Sequence, residues 1–301
     1  MPGDRWHRWL LDVRHGGDSG YRERLLSEFL YRWRDEVLGR AGVQPGATVL
    51  DVGTGDGLIG FGALDRVGPA GHVIFSDISQ DLLDHCRAAA EAEGVLDRCS
   101  FVRAGADSLV GMADASADVV TTRSVLIYVK DKAAALREFY RVLRPGGRVS
   151  LFEPVNRLHV VPGRFDGYDV RPVAALAAKM QAFYDALQPP GSDPMLDFDD
   201  RDLVRHAEDA GFAEVHLDLR VDVEAALEPC PWDRFLRRSG NPLEPPFGEV
   251  LAQVLDPAEA AEFTAHLRPL VESGAGQLRR AVAYLVAVKG PVGVAGIVGR
   301  E

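Results

Sequence analysis

The sequence predicts an α/β protein built on a doubly wound sheet, and three consecutive segments support this prediction. Residues 48–52, T-V-L-D-V, are short and apolar enough to form a buried strand. A glycine-rich turn, G-T-G-D-G (53–57), follows it, and residues 58–67 then form a helical pattern that ends at Gly68. In sheets that open with strand, glycine turn and helix, ligands bind beyond the carboxyl ends of the strands.

The glycine turn departs from the dinucleotide-binding pattern, because Leu58 stands where that pattern has its third glycine. Asp51 lies two residues before Gly53, at a strand end where a buried carboxylate needs a cation or a hydrogen-bond donor. The next predicted strand, residues 72–77, ends in Asp77, about 20 residues beyond the glycines, where a carboxylate can bind both hydroxyls of a ribose. The turn therefore suits a ligand with an ammonium group better than a pyrophosphate.

Four motifs occur in order along the first half of the chain: V-L-D-V-G-T-G-D-G (49–57), S-D-I-S (76–79), A-D-V-V-T-T-R-S-V-L (117–126) and L-R-P-G-G-R-V-S-L-F-E-P (143–154). In sequence and spacing they resemble the class I S-adenosylmethionine-dependent methyltransferases, most of all the small-molecule branch that includes quinone, sterol and arsenite methyltransferases. The resemblance implies a Rossmann-like sheet of seven strands, the last one antiparallel, and S-adenosylmethionine as the cofactor. It also implies that N-terminal helices close over the methyl donor.

The predicted cofactor site follows from these motifs. Where relatives often have an acid that receives the adenine amino group, this chain has Ala106, with Asp107 one residue later. Arg123 ends the fourth predicted strand, and Arg14 offers a guanidinium for the methionine carboxylate, although a surface loop would explain Arg14 equally well. The predicted cofactor-binding residues are Asp51, Gly53, Thr54, Gly55, Asp77, Ile78, Ala106, Asp107, Arg123 and Arg14.

A sulfonium methyl group is already electrophilic, so a protein that transfers it mainly supplies alignment. A base is needed only where the acceptor must lose a proton. The predicted catalytic candidates are His159, His15 and Tyr128, with Glu153 next, and each has an alternative structural role. Three scattered cysteines argue against arsenite as the acceptor, and we expect no metal site because no histidine or acidic residues have ligand spacing.

The predicted domain organisation is a helical cap over residues 1–46, a methyltransferase domain over 47–290 and a flexible tail over 291–301. Two helical insertions, 156–198 and 222–280, interrupt the domain. Aromatic side chains are dense in these insertions, which predicts an apolar substrate pocket, small insertion cores or a dimer surface. They are Phe165, Tyr168, Phe183, Tyr184, Phe198, Trp232, Phe235 and Phe247.

Composition narrows the classes of partner. The formal net charge of −11 over 301 residues disfavours nucleic acids, and the basic cluster at 234–238 is expected to be a solvated helix face. Three cysteines with no paired spacing indicate a reducing, cytoplasmic location. No secretory signal is expected at the N-terminus, and Lys289 and Pro291 argue against a membrane span in residues 281–299.

The predicted function is methyl transfer from S-adenosylmethionine to oxygen, nitrogen or carbon of a small apolar or aromatic acceptor, in specialised metabolism. Two alternatives stay open. One is a nicotinamide-dependent oxidoreductase on a similar fold, which the missing third glycine disfavours. The other is a catalytically silent protein that binds S-adenosylmethionine as a scaffold. A homodimer is compatible with all three.

Overall fold

The computed structural model describes residues 4–14 and 16–291. Within them the helices are α1 (Arg5–Arg8), α2 (Ser19–Leu25), α3 (Tyr31–Ala41), α4 (Leu58–Val67), α5 (Gln80–Ala92), α6 (Lys132–Val142), α7 (Ala174–Leu187), α8 (Asp200–Ala210), α9 (Trp232–Arg237), α10 (Phe247–Val254) and α11 (Pro257–Ser273). The strands are β1 (Thr48–Val52), β2 (His72–Asp77), β3 (Cys99–Arg103), β4 (Ala117–Arg123), β5 (Leu143–Pro154), β6 (Arg164–Phe165), β7 (Tyr168–Asp169), β8 (Glu214–Glu224) and β9 (Leu278–Val288). No helix among the described residues is long and apolar enough to cross a bilayer.

Seven strands form one sheet in the order β3-β2-β1-β4-β5-β9-β8. Strands β1 to β5 pair in parallel. Strand β9 runs the other way: the N–H of Gly146 donates to the carbonyl of Lys289, whereas the N–H of Val155 donates to that of Ala281. The doubly wound, Rossmann-like sheet with an antiparallel strand is confirmed.

The central strands are buried because they are almost wholly apolar. Val49 and Leu50 of β1 are fully buried, and Val52 is 1% exposed. The register places Val52 opposite Ser76 of β2 and opposite Thr122 of β4. The carboxyl ends of three strands therefore lie level, and the turns that follow them leave the sheet at one edge.

The chain divides into two compact units. We call the first the sheet unit, residues 29–153, 198–219 and 283 onward. The second, the helical unit, comprises residues up to 28, 154–197 and 220–282. Apolar residues at three- to four-residue spacing predict a helix over residues 21–38, and this segment is observed as α2 and α3 with a wider helical turn between them.

The helical unit has its own apolar core. The segment Asp256-Pro-Ala-Glu259 predicts a capped helix start, and helix α11 begins there: Asp256 accepts from the N–H of Glu259, and the side chain of Glu259 accepts from the N–H of Asp256. The sequence did not predict α9, α10 or the β6–β7 hairpin, whose turn residues Asp166 and Gly167 both have positive φ. The fully buried members of this core are Met180, Val250, Phe263, Leu267 and Val271.

The R-P-G-G segment (144–147) predicts a turn followed by a strand that begins at Arg148, but strand β5 already begins at Leu143. Ala117 of β4 lies opposite Leu143, whereas Val119 lies opposite Arg148, so the register shifts between these pairs. The residues between Leu143 and Arg148 form an irregularity inside β5, which Gly146 permits with a φ of 80°.

The basic cluster at residues 234–238 is not simply a solvated helix face, so that prediction is wrong for Arg234. Its side chain is buried, with the guanidinium 3.9 Å from the centre of the Tyr21 ring. Its Nη1 lies 3.6 Å from Asp18, and its Nε donates to the sulfur of Cys230 at 3.3 Å. An aromatic face, an acid and a sulfur acceptor together allow the cation to leave water.

Candidate functional site

The glycine turn after β1 has a backbone that only glycine adopts easily. Gly53 and Gly55 have φ values of 64° and 58°. A Cβ built on Gly53 would lie 2.3 Å from Cγ2 of Val125, so a larger residue would also clash with the turn after β4. The sequence thus shapes a backbone surface that a ligand can approach closely.

Asp77 joins the end of β2 to this turn. Its Oδ2 accepts the N–H of Gly55 at 3.0 Å, and its Oδ1 accepts the N–H of Ser79 at 2.9 Å. The side chain is 7% exposed. A carboxylate at this position is an acceptor to which ligand hydroxyl groups can donate.

Asp51 is satisfied by donors of the protein itself. Its carboxylate accepts from Oγ1 of Thr54 at 2.7 Å, from Oγ1 of Thr121 at 2.9 Å and from the N–H of Gly60 at 3.0 Å. Burial raises the pKa of Asp51 to about 6, while these hydrogen bonds act in the opposite direction. Asp51 therefore ties β1 to β4 and α4 through hydrogen bonds from the protein itself, and its contact with a ligand stays a prediction.

An apolar surface lies beside Asp77 at the ends of β2 and β3. Ile78 is 46% exposed, which is unusual for a large aliphatic side chain next to a buried acid. A Cβ on Gly105 would lie 3.8 Å from Cγ2 of Ile78 and 3.0 Å from Oδ1 of Asp107. Asp107 is exposed, whereas Ala106 is buried. This corner offers an aliphatic face and a nearby carboxylate, which suits a planar heterocycle with an amino group.

Glu153, considered at the sequence level as a possible base, is completely buried under the turn after β4. Its Oε1 accepts the N–H groups of Val125 at 2.9 Å and Leu126 at 3.0 Å, and its Oε2 accepts that of Ile127 at 3.3 Å. Burial raises its pKa to about 7, and the three hydrogen bonds lower it. Glu153 therefore holds the turn after β4 in place, and its buried carboxyl group is not exposed at the surface of the site.

That turn carries two of the predicted residues. Arg123 is the last residue of β4, and Ser124 after it has a φ of 55°, a conformation uncommon for serine. Tyr128 closes the short helical turn Leu126–Tyr128 and is half-buried. Glu153 thus determines the backbone position of Tyr128.

Two other predicted residues, Arg14 and His159, belong to the helical unit. The guanidinium of Arg14 lies 4.9 Å from the centre of the Trp9 ring. Nε2 of His159 lies 2.7 Å from the N–H nitrogen of Ala281, and burial lowers the pKa of this histidine. Nε2 also lies 3.1 Å from the carbonyl oxygen of Ala281, so in either tautomer it can form a hydrogen bond with the backbone of this residue. His15 lies outside the described residues.

The structure brings the nine predicted cofactor residues other than Arg14 into the sheet unit. The sequence analysis missed Thr121, although a Thr-Thr pair inside an apolar strand was a usable signal. It also missed the turn-holding role of Glu153, whose partners lie 26 to 28 residues away in sequence. No cluster of three metal-binding side chains occurs in residues 4–14 and 16–291.

Comparisons with known proteins agree with this geometry. The model of the ubiE/COQ5 methyltransferase family matches residues 25–219. The ubiquinone/menaquinone biosynthesis C-methyltransferase UbiE of Hahella chejuensis is 38% identical over 155 residues, covering 50% of this chain and 60% of that protein. The protein of the same name from Shewanella frigidimarina is 30% identical over 198 residues, covering 65% and 78%.

The chain thus spans about three-fifths of the length of the first of these relatives. Among solved structures, a putative methyltransferase from Bacillus halodurans superposes with a TM-score of 0.51 at 19% identity, covering 85% of this chain and 98% of that one. At that level of identity the likeness concerns the fold alone.

Proposed function

This chain belongs to the ubiE/COQ5 methyltransferase family, and from that membership we propose that it transfers a methyl group from S-adenosylmethionine to a carbon atom of a small acceptor. The membership confirms the predicted family, the methyltransferase class and S-adenosylmethionine as the cofactor of the family. It also removes the reason for considering a nicotinamide-dependent oxidoreductase. Carbon is preferred over oxygen and nitrogen because the similar relatives are named C-methyltransferases.

The observation that carries the proposal is the cradle formed by Gly53, Gly55 and Asp77. Asp77 would bind the ribose hydroxyls, and the glycine backbone would contact the methionine portion. Ile78 and Asp107 offer an apolar face and a carboxylate to the adenine. The cofactor supplies an electrophilic methyl group when bound.

The residues of the chain would then align acceptor and donor and exclude water from both. Of the candidate bases, Tyr128 is proposed first, because it follows β4 in the same unit as nine of the predicted cofactor-binding residues. We propose that Tyr128 contacts the acceptor and that Glu153 positions it through the backbone of the turn. Arg14 stays a proposed contact for the methionine carboxylate.

The acceptor proposed is apolar or aromatic but different from the quinone precursors implied by the names of the relatives. The second insertion, residues 222–280, lies beyond the matched segment, and this addition to the family region supports a different acceptor. A role in specialised metabolism accords with this difference.

We further propose a cytoplasmic protein that forms a homodimer. The cysteines Cys86, Cys99 and Cys230 are free thiols, as in reducing compartments. Strand β8 is the last strand of the sheet order, and its Leu219, Val221 and Val223 are 38%, 43% and 51% exposed. An exposed apolar edge strand is a surface on which a second copy can pair. The molar mass in solution, measured by light scattering, tests the dimer.

Mass spectrometry of acceptor panels tests the function. The protein is incubated with S-adenosylmethionine carrying a deuterated methyl group and with hydroquinones, phenols and aromatic acids. We expect a labelled product with the new carbon–methyl bond on at least one ring compound. Binding of S-adenosylhomocysteine without any transfer would favour the silent scaffold, and absence of both would overturn the proposal.

A further inference from the structure

The helical unit contains a cavity of about 580 Å³ that none of the predicted cofactor-binding residues lines. This volume lies within the range of small-molecule sites, roughly 300–1,000 Å³. Every residue that lines it belongs to the helical unit. The lining residues from Leu227 to Arg279 lie beyond the segment that matches the family.

One wall of the cavity is aromatic. Phe165 lies 6.0 Å from Tyr184 and 5.5 Å from Phe247, measured between ring centres, and Phe247 lies 5.0 Å from Phe235. Phe235 and Phe247 are 2% and 5% exposed, so the core holds them in place. A wall of fixed rings favours a flat, unsaturated ligand.

Three arginines, Arg164, Arg238 and Arg279, also line the cavity, and each has several N–H groups that can donate hydrogen bonds. A guanidinium has five N–H donors. Arg164 uses one on the carbonyl of Gly167 at 2.7 Å, and Arg279 uses one on that of Leu158 at 2.5 Å. Further donors of both residues are left for solvent or a ligand.

Arg238 is the arginine most closely joined to the aromatic wall. Its guanidinium lies 5.3 Å from the centre of the Phe235 ring, and its Nη2 is 3.8 Å from Oδ2 of Asp166. The side chains of Arg238 and Asp166 are 40% and 57% exposed. Ion pairs this exposed contribute little, about 0–1 kcal/mol, so a ligand anion can compete with Asp166.

The acids of the lining do not cancel this positive charge. Besides Asp166, the cavity has Glu244, whose carboxylate accepts from the N–H of Gly240 and from the side chain of Asn241. Burial raises the pKa of Glu244 to about 7. Three guanidinium groups therefore face two carboxyl groups in the lining.

From this arrangement we propose that the cavity binds a planar aromatic carboxylate, with its ring against the aromatic wall and its carboxylate on Arg238. The proposal concerns the helical unit by itself and does not require methyl transfer. A bidentate contact between guanidinium and carboxylate would supply orientation as well as affinity. The ring would be held mainly by burial of its apolar surface.

The test measures binding of 2-naphthoate and of its neutral analogue 2-naphthamide to the full chain by calorimetry, without the methyl donor. We expect the carboxylate to bind about tenfold more tightly than the amide, as for a charge-assisted hydrogen bond. Arg238→Gln should remove that preference and leave the affinity for the amide unchanged. Arg237→Gln is the matched control, because Arg237, the last residue of α9 and the neighbour of Arg238 in sequence, is exposed and does not line the cavity.

The ratio of the two affinities is an internal measure, since partial unfolding of a variant would weaken both ligands alike. Thermal melting of each variant checks that it is folded. Equal affinity of the wild-type protein for acid and amide would overturn the proposal. So would an unchanged preference in Arg238→Gln, or no binding of either compound at millimolar concentration.

Discussion

The carboxylate of Asp77 accepts the backbone N–H of Gly55 at 3.0 Å and thereby holds the glycine turn against the end of β2. Asp77→Asn replaces one carboxylate oxygen with an NH2 group. That group would face one of the two backbone N–H groups from which Asp77 now accepts a hydrogen bond. We expect S-adenosylhomocysteine to bind at least about tenfold more weakly, as when a buried donor loses its partner. Calorimetry measures this, and Asp65→Asn, an exposed acid on α4, should bind as the wild type does. Wild-type affinity in Asp77→Asn would remove Asp77 from the site.

Gly53→Ala should lose donor binding for two reasons, and a second variant separates them. Gly53 and Gly46 both have positive φ, but a Cβ on Gly46 meets nothing within 4 Å, whereas one on Gly53 meets Val125 at 2.3 Å. Gly46→Ala should therefore cost only the backbone strain, about 1 kcal/mol, and keep full affinity. Gly53→Ala should be less stable in urea and bind the donor more weakly. If the two variants behave alike, the contact with Val125 is unimportant.

Thr121 and Thr122 are adjacent, fully buried residues of β4 with different hydrogen bonds. Thr121 donates to Asp51, whereas Oγ1 of Thr122 has no hydrogen-bond partner. Thr121→Val should lower the free energy of unfolding by about 1–3 kcal/mol, and Thr122→Val should leave it unchanged or raise it. Urea denaturation compares them. Equal losses would mean that volume and shape, rather than the bond to Asp51, determine stability here.

Glu153 should make the wild-type protein lose stability as pH rises. Its pKa is raised from 4.5 to about 7 in the folded state, so the folded state holds this proton at pH values where the unfolded state has released it. The stabilisation that Glu153 contributes to the folded state is fully present below pH 4.5 and is lost as pH rises through about 7. Glu153→Gln cannot titrate and should show a smaller decrease in unfolding free energy between pH 5 and 8. Glu91→Gln is the control, because Glu91 is exposed on α5, and it should show the same decrease as the wild type. If Glu153→Gln lost as much unfolding free energy between pH 5 and 8 as Glu91→Gln does, the pH dependence assigned to Glu153 would be wrong.

The sheet was predictable because its signals are local. The apolar run of β1, the glycines after it and the cap at Ser79 each act within a few residues, and the structure has them where the sequence placed them. The Asp166-Gly167 pair was an equally local hairpin signal that the sequence analysis did not use.

The roles of Asp51, Glu153 and Arg234 were harder to predict, because each depends on partners far away in sequence. Asp51 needed a donor, but only the register of β1 with β4 identifies that donor as Thr121. Arg234 looks like a surface residue until Tyr21 and Asp18 are seen around it. Spacing along the chain does not encode such contacts.

The central claim is that the glycine turn and the end of β2 hold the methyl donor. Its most direct test is the titration of ¹⁵N-labelled wild-type protein with S-adenosylhomocysteine, followed by the amide resonances. We predict saturable shifts at Gly53, Gly55 and Ile78, with none at Gly146, which lies in the irregularity of β5. Saturable binding that shifts other resonances and leaves these three unmoved, or no binding by the folded protein, would contradict the account.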